Sequence, residues 1–323
     1  MEMRILVTGG AGFIGSHLCE ELLRAGHSVI AVDDLSTGEL SNLSSIINSE
    51  NFKFVEGSIL DIKLLLDVAE GVDYIFHLAA AVGVFNIVNN PLNSLFTNIR
   101  GTENVLEVAH SKNIPILLTS SSEVYGKNVS NSLSESDDRI LGSPTTLRWS
   151  YSEAKAIDES LAYAYYVEKQ LETRIIRFFN TVGPRQLGAY GMVVPRFVKS
   201  AIQNEPLKVF GSGEQTRCFA HVYDVIEGVI AVAFSQNTIG KILNIGNNFE
   251  ISINDLAYKV IDETDSSSTI IHVPYEEAYG DGFEDMERRV PNLDLIKNLV
   301  GWSPKRDLSL MIADIAKEMK RDF

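Results

Sequence analysis

Cysteine is scarce in this chain: Cys19 and Cys218 are the whole supply. Two thiols are too few for a disulfide framework and suit a reducing compartment, so a cytoplasmic location is expected. Positive charge is also short. Lys and Arg number 28 against 43 Asp and Glu, a net charge of −15. Such a surface repels a phosphate backbone, which argues against nucleic acid as a partner. No apolar run reaches the roughly 18 residues of a membrane-spanning helix. The first residues enter a strand pattern at once and leave no room for a signal peptide. The six histidines show no metal-ligand spacing with one another or with cysteine, so no metal is expected. Repeats and low-complexity tracts are absent.

What is present is an ordinary globular chain. Hydrophobic residues make up 45% of 323, enough for one large α/β domain with a smaller one. The organising stretch is Arg4 to Gly15, RILVTGGAGFIG. Ile5, Leu6 and Val7 form an apolar, β-rich run, which reads as a buried strand. Gly9, Gly12 and Gly15 follow at intervals of three, and Phe13, Ile14, Leu18 and Leu22 then recur at helical spacing. The glycines therefore lie on a strand-to-helix turn, where backbone can approach a ligand closely. The free N–H groups and dipole of the new helix favour a diphosphate there. A second strand pattern, Ser28 to Val32, ends in Asp33. An acid about 20 residues past the turn reads the adenosine ribose in dinucleotide folds. It also repels a 2′-phosphate, so NAD is expected over NADP.

Strand and helix patterns then alternate at least four times, which predicts a doubly wound parallel sheet with ligands at the carboxyl ends of its strands. After Phe52–Val55, Asp61, followed by Ile62, faces the adenine edge or caps the next helix. The strand Tyr74–Phe76 runs into His77, Leu78, Ala79 and Ala80. The small residues fit backbone lying against a cofactor, and His77 reads as a satisfied core histidine. Leu95 to His110 is helical and carries Asn98, which supports the site, caps or is exposed. The strand Ile114–Leu118 ends in Ser120, Ser121, Ser122 and Glu123, and 127–150 is a long polar segment of the kind that forms lids. Tyr151 and Lys155, four apart, share a helix face. An ammonium beside a phenol favours the phenolate, and such a tyrosine can take a proton from a sugar hydroxyl.

Beyond Phe178 the rhythm breaks. Helical, strand-like and loop segments mix, including an expected strand over Arg217–Val222, a helix from Asp224, a helix capped by Asn254 and an acidic loop over Glu276–Glu287. The boundaries read as a dinucleotide-binding domain over 1–180, continued by a strand near 241–246, and a substrate domain over 181–323. Arg217, behind Gly211-Ser212-Gly213, is the phosphate candidate, with Arg196 assisting. Val209 and Phe210 flank a nucleotide base or sit in a core strand.

Taken in one order, Gly9/Gly12/Gly15, Asp33, Ser-Ser-Glu-Val-Tyr-Gly and Tyr151/Lys155 resemble the NAD-dependent nucleotide-sugar epimerase/dehydratase family of extended short-chain dehydrogenase/reductases. RFFNTVGPR, VVPRFV, FGSGEQTRCF and HVYDV resemble that family's substrate domain, which brings in Asn180 and Arg185. The resemblance implies a Rossmann sheet with a smaller mixed α/β C-terminal domain, bound NAD, a homodimer and a UDP-sugar or related substrate. It implies that Tyr151 takes the proton of the sugar 4-hydroxyl, Ser121 or Ser122 relays it, and Lys155 binds the nicotinamide ribose. A 4-ketose results, from which members epimerise, dehydrate or decarboxylate.

Two features bear on that branch. Glu123 after the serines, and Arg289 within Arg288-Arg289-Val290-Pro291-Asn292, resemble the UDP-glucuronate decarboxylases, although Val290 replaces their lysine. Pro144 to Tyr151 also resembles a decarboxylase segment. The stretch 186–192, QLGAYGM, is not diagnostic. Each residue has a plainer reading. Glu123 is an acid/base or a carboxylate paired with a loop arginine, and Arg289 is a clamp or a surface-paired arginine. Decarboxylation of a UDP-hexuronate is the first reading and UDP-sugar 4-epimerisation the second. A 4,6-dehydratase and a catalytically silent NAD sensor follow. Ser122 speaks against the dehydratase, and the intact Tyr–Lys pair against the sensor.

Overall fold

A computed structural model describes residues 2–83, 90–186, 192–274, 277, 286 and 288–320. Its centre is a parallel sheet of seven strands. They are β1 (Arg4–Thr8), β2 (Ser28–Asp33), β3 (Phe52–Glu56), β4 (Tyr74–His77), β5 (Ile116–Ser121), β6 (Thr173–Phe178) and, much later in the chain, Ile242–Ile245. Four short strands intervene: β7 (Thr181–Val182), β8 (Leu207–Phe210), β9 (Thr216–Cys218) and β10 (Ala220–His221), so Ile242–Ile245 is β11. The order is β11-β6-β5-β4-β1-β2-β3, with every neighbour pair parallel. The order reverses between β1 and β4, where an open α/β sheet leaves its ligand crevice.

Period-two alternation explains why the sheet is buried on both faces. Ile5 and Val7 of β1 join one apolar cluster while Leu6 joins the other. Leu117 of β5 and Ile176 of β6 face the first, while Leu118 and Ile175 face the second. Helix α1 (Phe13–Arg24) covers the first face. Helices α2 (Ile62–Val68), α3 (Pro91–Ser111) and α4 (Ser150–Lys169) cover the second. A third cluster gathers α5 (Val193–Ile202), β8 and later helices. Helix α6 (Val222–Ala233) returns to the first face of the sheet. After β12 (Glu250–Ser252), α7 (Ile253–Glu263) joins the third cluster. Strand β13 (Ile270–Val273) pairs with β8. Helix α8 (Asp294–Val300) packs on the first face, and α9 (Leu308–Met319) on the third cluster.

The Gly9 turn shows why side chains are excluded there. Gly9 has φ +73°, and a Cβ on Gly15 would stand 2.0 Å from the Gly9 carbonyl oxygen. The first turn of α1 therefore closes onto the end of β1 only with glycine at both places.

Several boundaries differ from the sequence reading. Helix α3 starts at Pro91, because a proline at the first helical position loses no hydrogen bond. The expected strand over Arg217–Val222 is two short strands separated by Phe219, and α6 begins at Val222 behind the cap His221. Ser252, not Asn254, caps α7 by accepting from the Asp255 amide, while Asn254 bonds Ser212 and Glu214. The acidic loop expected over Glu276–Glu287 and most of 186–192 lie outside the described residues, apart from 186, 192, 277 and 286.

The polar segment 127–150 is a tied strap. The Leu133 amide donates to Val290 O at 2.8 Å and the Asn292 amide to Leu133 O at 2.8 Å. Asn244 Nδ2 donates to the same Leu133 carbonyl at 2.9 Å. These bonds fix the backbone immediately after Arg289 against the strap.

Candidate active site

A cavity of about 490 Å³ runs along the carboxyl ends of β1, β2, β4, β5 and β6. Gly9, Gly12, Phe13, Ile14 and Gly15 line one end, with Asp33 beside them. The α1 N-terminus has no side-chain cap, so its first amides are open to an anion. Asp33 is held by the backbone. Its Oδ2 accepts from the Ala11 amide at 3.0 Å and its Oδ1 from the Leu35 amide at 2.9 Å. Burial raises its pKa while those amides oppose the shift. Leu78, Ala79 and Ala80 form the facing wall, and a Cβ on Gly9 would stand 2.6 Å from the Ala79 nitrogen. A side-chain-free turn, an open helix end and an oriented carboxylate suit the diphosphate and ribose of a dinucleotide.

Three residues expected in the cofactor wall lie elsewhere. Asp61 is the N-cap of α2, accepting from the Lys63 and Leu64 amides, and Ile62 opens that helix; neither lines the cavity, which Gly57 and Ile59 border instead. Asn98 is buried beneath the wall. It accepts from the Ala81 amide at 2.9 Å and donates to the Ala81 carbonyl at 3.2 Å, so it fixes the wall's backbone without reaching the cavity. His77 is buried between Thr8 Oγ1 at 2.7 Å and Thr102 Oγ1 at 3.1 Å, and burial lowers its pKa to about 3. Such a group stays neutral at physiological pH.

The reactive end is built where β5 stops. Ser121, Ser122, Glu123, Tyr151 and Lys155 all line the cavity. Ser121 Oγ accepts from the Glu123 amide at 3.2 Å and tightens a short turn that aims Glu123 inward. Arg148 Nη1 donates to Glu123 Oε2 at 2.5 Å. Arg289 Nη1 donates to Glu123 Oε1 at 2.8 Å and to Ser122 Oγ at 3.2 Å. Burial alone would raise the Glu123 pKa. The two guanidiniums, by charge and by hydrogen bonding, hold the carboxyl well below the usual carboxylate range. Glu123 is thus a fixed anion, and the expectation of an acid/base gives way to its plainer alternative, a paired carboxylate. Arg289 is not a surface arginine: it is 6% exposed, and its Nε is buried with no hydrogen-bond partner among the described residues.

Tyr151 also departs from expectation. Burial raises its pKa, Glu123 and Asp158 add to the rise, and Arg148 opposes it. Lys155 Nζ is paired with Asp158 Oδ2 at 3.1 Å. The shared helix face is as expected, but the ammonium has a counter-ion of its own.

At the far end, Asn180, Arg185, Arg196, Phe210 and Arg217 line the cavity. Arg196 stacks over Phe210, 3.9 Å from its ring centroid. Asn180 Nδ2 donates to Cys218 O, and Arg217 Nη1 to Thr216 O. Arg185 bonds Ser16 and Glu20 of α1, which ties the segment after β7 to the cofactor helix. Val209 is fully buried in the third apolar cluster and does not reach the cavity, since alternation in β8 turns Val209 into that cluster and Phe210 to the other face. Sequence reasoning gave no role to Arg148, whose signal is an arginine three residues before the tyrosine, nor to Asp158.

The model of the NAD dependent epimerase/dehydratase family matches residues 5–246. The chain belongs to that family. A "UDP-N-acetyl-alpha-D-glucosaminuronate decarboxylase" of Bacillus cytotoxicus is 40% identical over 305 residues, covering 94% of each chain. A "UDP-glucuronic acid decarboxylase 1" of Xenopus tropicalis is 37% identical, covering 93% of this chain and 68% of its own. Among solved structures, a UDP-glucuronic acid 4-epimerase of Bacillus cereus, in complex with UDP-glucuronic acid and NAD, superposes with a TM-score of 0.90 at 28% identity. It covers 99% of this chain and all of its own. The chain is accordingly an enzyme of the NAD-dependent epimerase/dehydratase family. No helix of the described residues is long and apolar enough to cross a membrane.

Glu123→Gln leaves two buried guanidiniums without their anion, so a loss of about 3–5 kcal/mol is expected, read as a lower Tm at neutral pH. The folded-state pKa of Glu123 is depressed. Its contribution is therefore present above its ordinary pKa of about 4.3 and is lost as pH falls through the folded value. The Tm gap should narrow in acid. Equal Tm values at neutral pH would contradict the pairing.

Proposed function

We propose that this chain removes the C5 carboxylate of a UDP-linked hexuronate as carbon dioxide, through a 4-keto sugar. The carrying observation is the charge of the trio beside Ser122 at the reactive end. Among the described residues, the two guanidiniums and one carboxylate of the trio sum to one positive charge, in a chain whose overall charge is −15. That local excess suits an anionic sugar, and the buried Arg289 Nε, unpartnered among the described residues, suits a carboxylate oxygen. The Bacillus cytotoxicus and Xenopus tropicalis decarboxylases, both among its relatives, act on substrates of this kind by their names.

NAD, when bound, supplies the electron sink that accepts hydride from C4 and returns it. The chain's own groups do the rest. Tyr151 accepts the proton of the 4-hydroxyl, and Ser121 or Ser122 holds the same oxygen. Arg289 and Arg148 orient the C5 carboxylate, and Glu123 fixes both arginines. The C5–carboxyl bond then breaks, its electron pair passing to the C4 carbonyl to give an enolate whose oxygen rests on the Tyr151 hydroxyl. Carbon dioxide leaves, and a proton from water takes its place at C5. Asp33 accepts from the adenosine ribose, Arg217 and Arg196 hold the diphosphate, and Phe210 flanks the base.

Residues 1–180 with β11 serve the cofactor and the later segments serve the nucleotide sugar. Free, buried Cys19 and Cys218 suit the cytoplasm. A homodimer is part of the reading, because α3 and α4 expose Leu92, Phe96, Ile157, Tyr163 and Val167. Light scattering should give twice the chain mass, and a monomer at micromolar concentration would overturn the dimer.

The activity is tested by mass spectrometry of the purified protein with UDP-glucuronate, its 2-acetamido counterpart, UDP-glucose and UDP-N-acetylglucosamine, each incubated separately. Loss of one carbon dioxide from a uronate alone is the expected result. An unchanged mass with a new stereoisomer on chromatography would replace decarboxylation by 4-epimerisation.

A further inference from the structure

One buried charge in the reactive end has no part in the chemistry above. Asp158 lies three residues past Lys155 on α4 and is fully buried. Its Oδ2 takes the Lys155 ammonium, and its Oδ1 has no hydrogen-bond partner among the described residues. A buried carboxylate with half its acceptor capacity unused is costly to keep for packing alone. Its neighbour Glu159 shows the contrast. That carboxylate is saturated by Arg177 Nε and Nη2, each at 2.8 Å, and by Ser120 Oγ at 2.7 Å, so it makes no claim on Lys155.

We propose that Asp158 is a positioning residue: as the buried counter-ion of Lys155, it sets the pH at which the Tyr151 phenol can give up its proton. The inference rests on Tyr151 being the base of the reaction. Among the described residues, the charges around the pair are few. Lys155 and Glu159 act on Asp158 from its own helix, and the Thr102 hydroxyl on α3 favours its anion. Thr102 Oγ1 is within hydrogen-bond distance of His77 on β4, a neutral ring that adds no charge. Burial, joined by the Glu159 charge, pushes the Asp158 pKa up against Lys155 and Thr102. On Tyr151, Glu123 and Asp158 disfavour the phenolate and Arg148 favours it. Of the two, Glu123 acts the more strongly but is pinned by two arginines, whereas Asp158 has the single cation partner Lys155 and an Oδ1 without a hydrogen-bond partner among the described residues. Removing the Asp158 charge takes away a repulsion and frees an ammonium on the tyrosine's own helix face, and both changes stabilise the phenolate.

The test titrates the phenol itself. Tyrosinate absorbance is followed with pH on the purified protein and on Tyr151→Phe, so that the difference reports Tyr151. The same pair is then made in an Asp158→Asn background. There Tyr151 is expected to ionise at least about one pH unit lower than in the unaltered protein. The acid limb of kcat/KM should move by the same amount. An ion pair that only stabilises the fold would change Tm and leave the Tyr151 titration in place, and that result would overturn the proposal. Should Asp158→Asn fail to fold, Asp158→Ser removes the same charge with a smaller polar side chain. It should lower the Tyr151 titration in the same direction, and no shift would overturn the proposal equally. Because the titration needs no substrate, it stands apart from the decarboxylation reading. A protein inactive on every UDP-sugar would sink that reading and leave this one to be decided by the phenol.

Discussion

The active site depends on one ionic contact, the Glu123 carboxylate held between Arg148 and Arg289. Its three members come from a turn after β5, the strap before α4 and the segment before α8. Nothing in their sequence neighbourhoods forces them together. The carboxylate is tolerated in a buried place only because both oxygens are met by guanidiniums. In turn, the arginines face the cavity in a set direction because the anion holds them. The backbone bonds of Leu133 to Val290 and Asn292 perform the same function for the chain beside Arg289.

The cofactor half rests on a different constraint, the close approach of backbone at Gly9 and Gly15. That constraint is local. It fixes a strand, a turn and the start of a helix in one short stretch, and Asp33 follows from the neighbouring strand. The two ends of the cavity therefore differ in kind. One is specified by short-range geometry, and the other by charge pairs that form only when the whole chain has folded.

That difference explains what could be read from the sequence. The doubly wound sheet, the glycine turn, Asp33 and the Tyr151/Lys155 face were legible because periodicity and spacing encode them directly. Asp61, in the loop after β3, and Asn98, within α3, were ambiguous for a physical reason: an Asx side chain can cap a helix or fix a loop as readily as meet a ligand. Val209 beside Phe210 could not be placed without knowing which way β8 faces. Arg148 lay in a segment already noticed, yet its partner is 25 residues away. The Lys155 counter-ion was missed because spacing shows which side chains share a face, not which charges pair on it. Arg289 was found through resemblance, and only the fold shows it buried.

The central claim is that the Arg148–Glu123–Arg289 trio receives a sugar carboxylate. The most direct measurement compares the affinities of UDP-glucuronate and UDP-glucose for the wild type and Arg289→Ala by calorimetry. Loss of a charge-assisted hydrogen bond, about 1.5–3 kcal/mol, should weaken UDP-glucuronate by about 10–100-fold and leave UDP-glucose nearly unchanged. An equal loss for both sugars would mean that Arg289 supports the fold of the pocket and does not read the carboxylate.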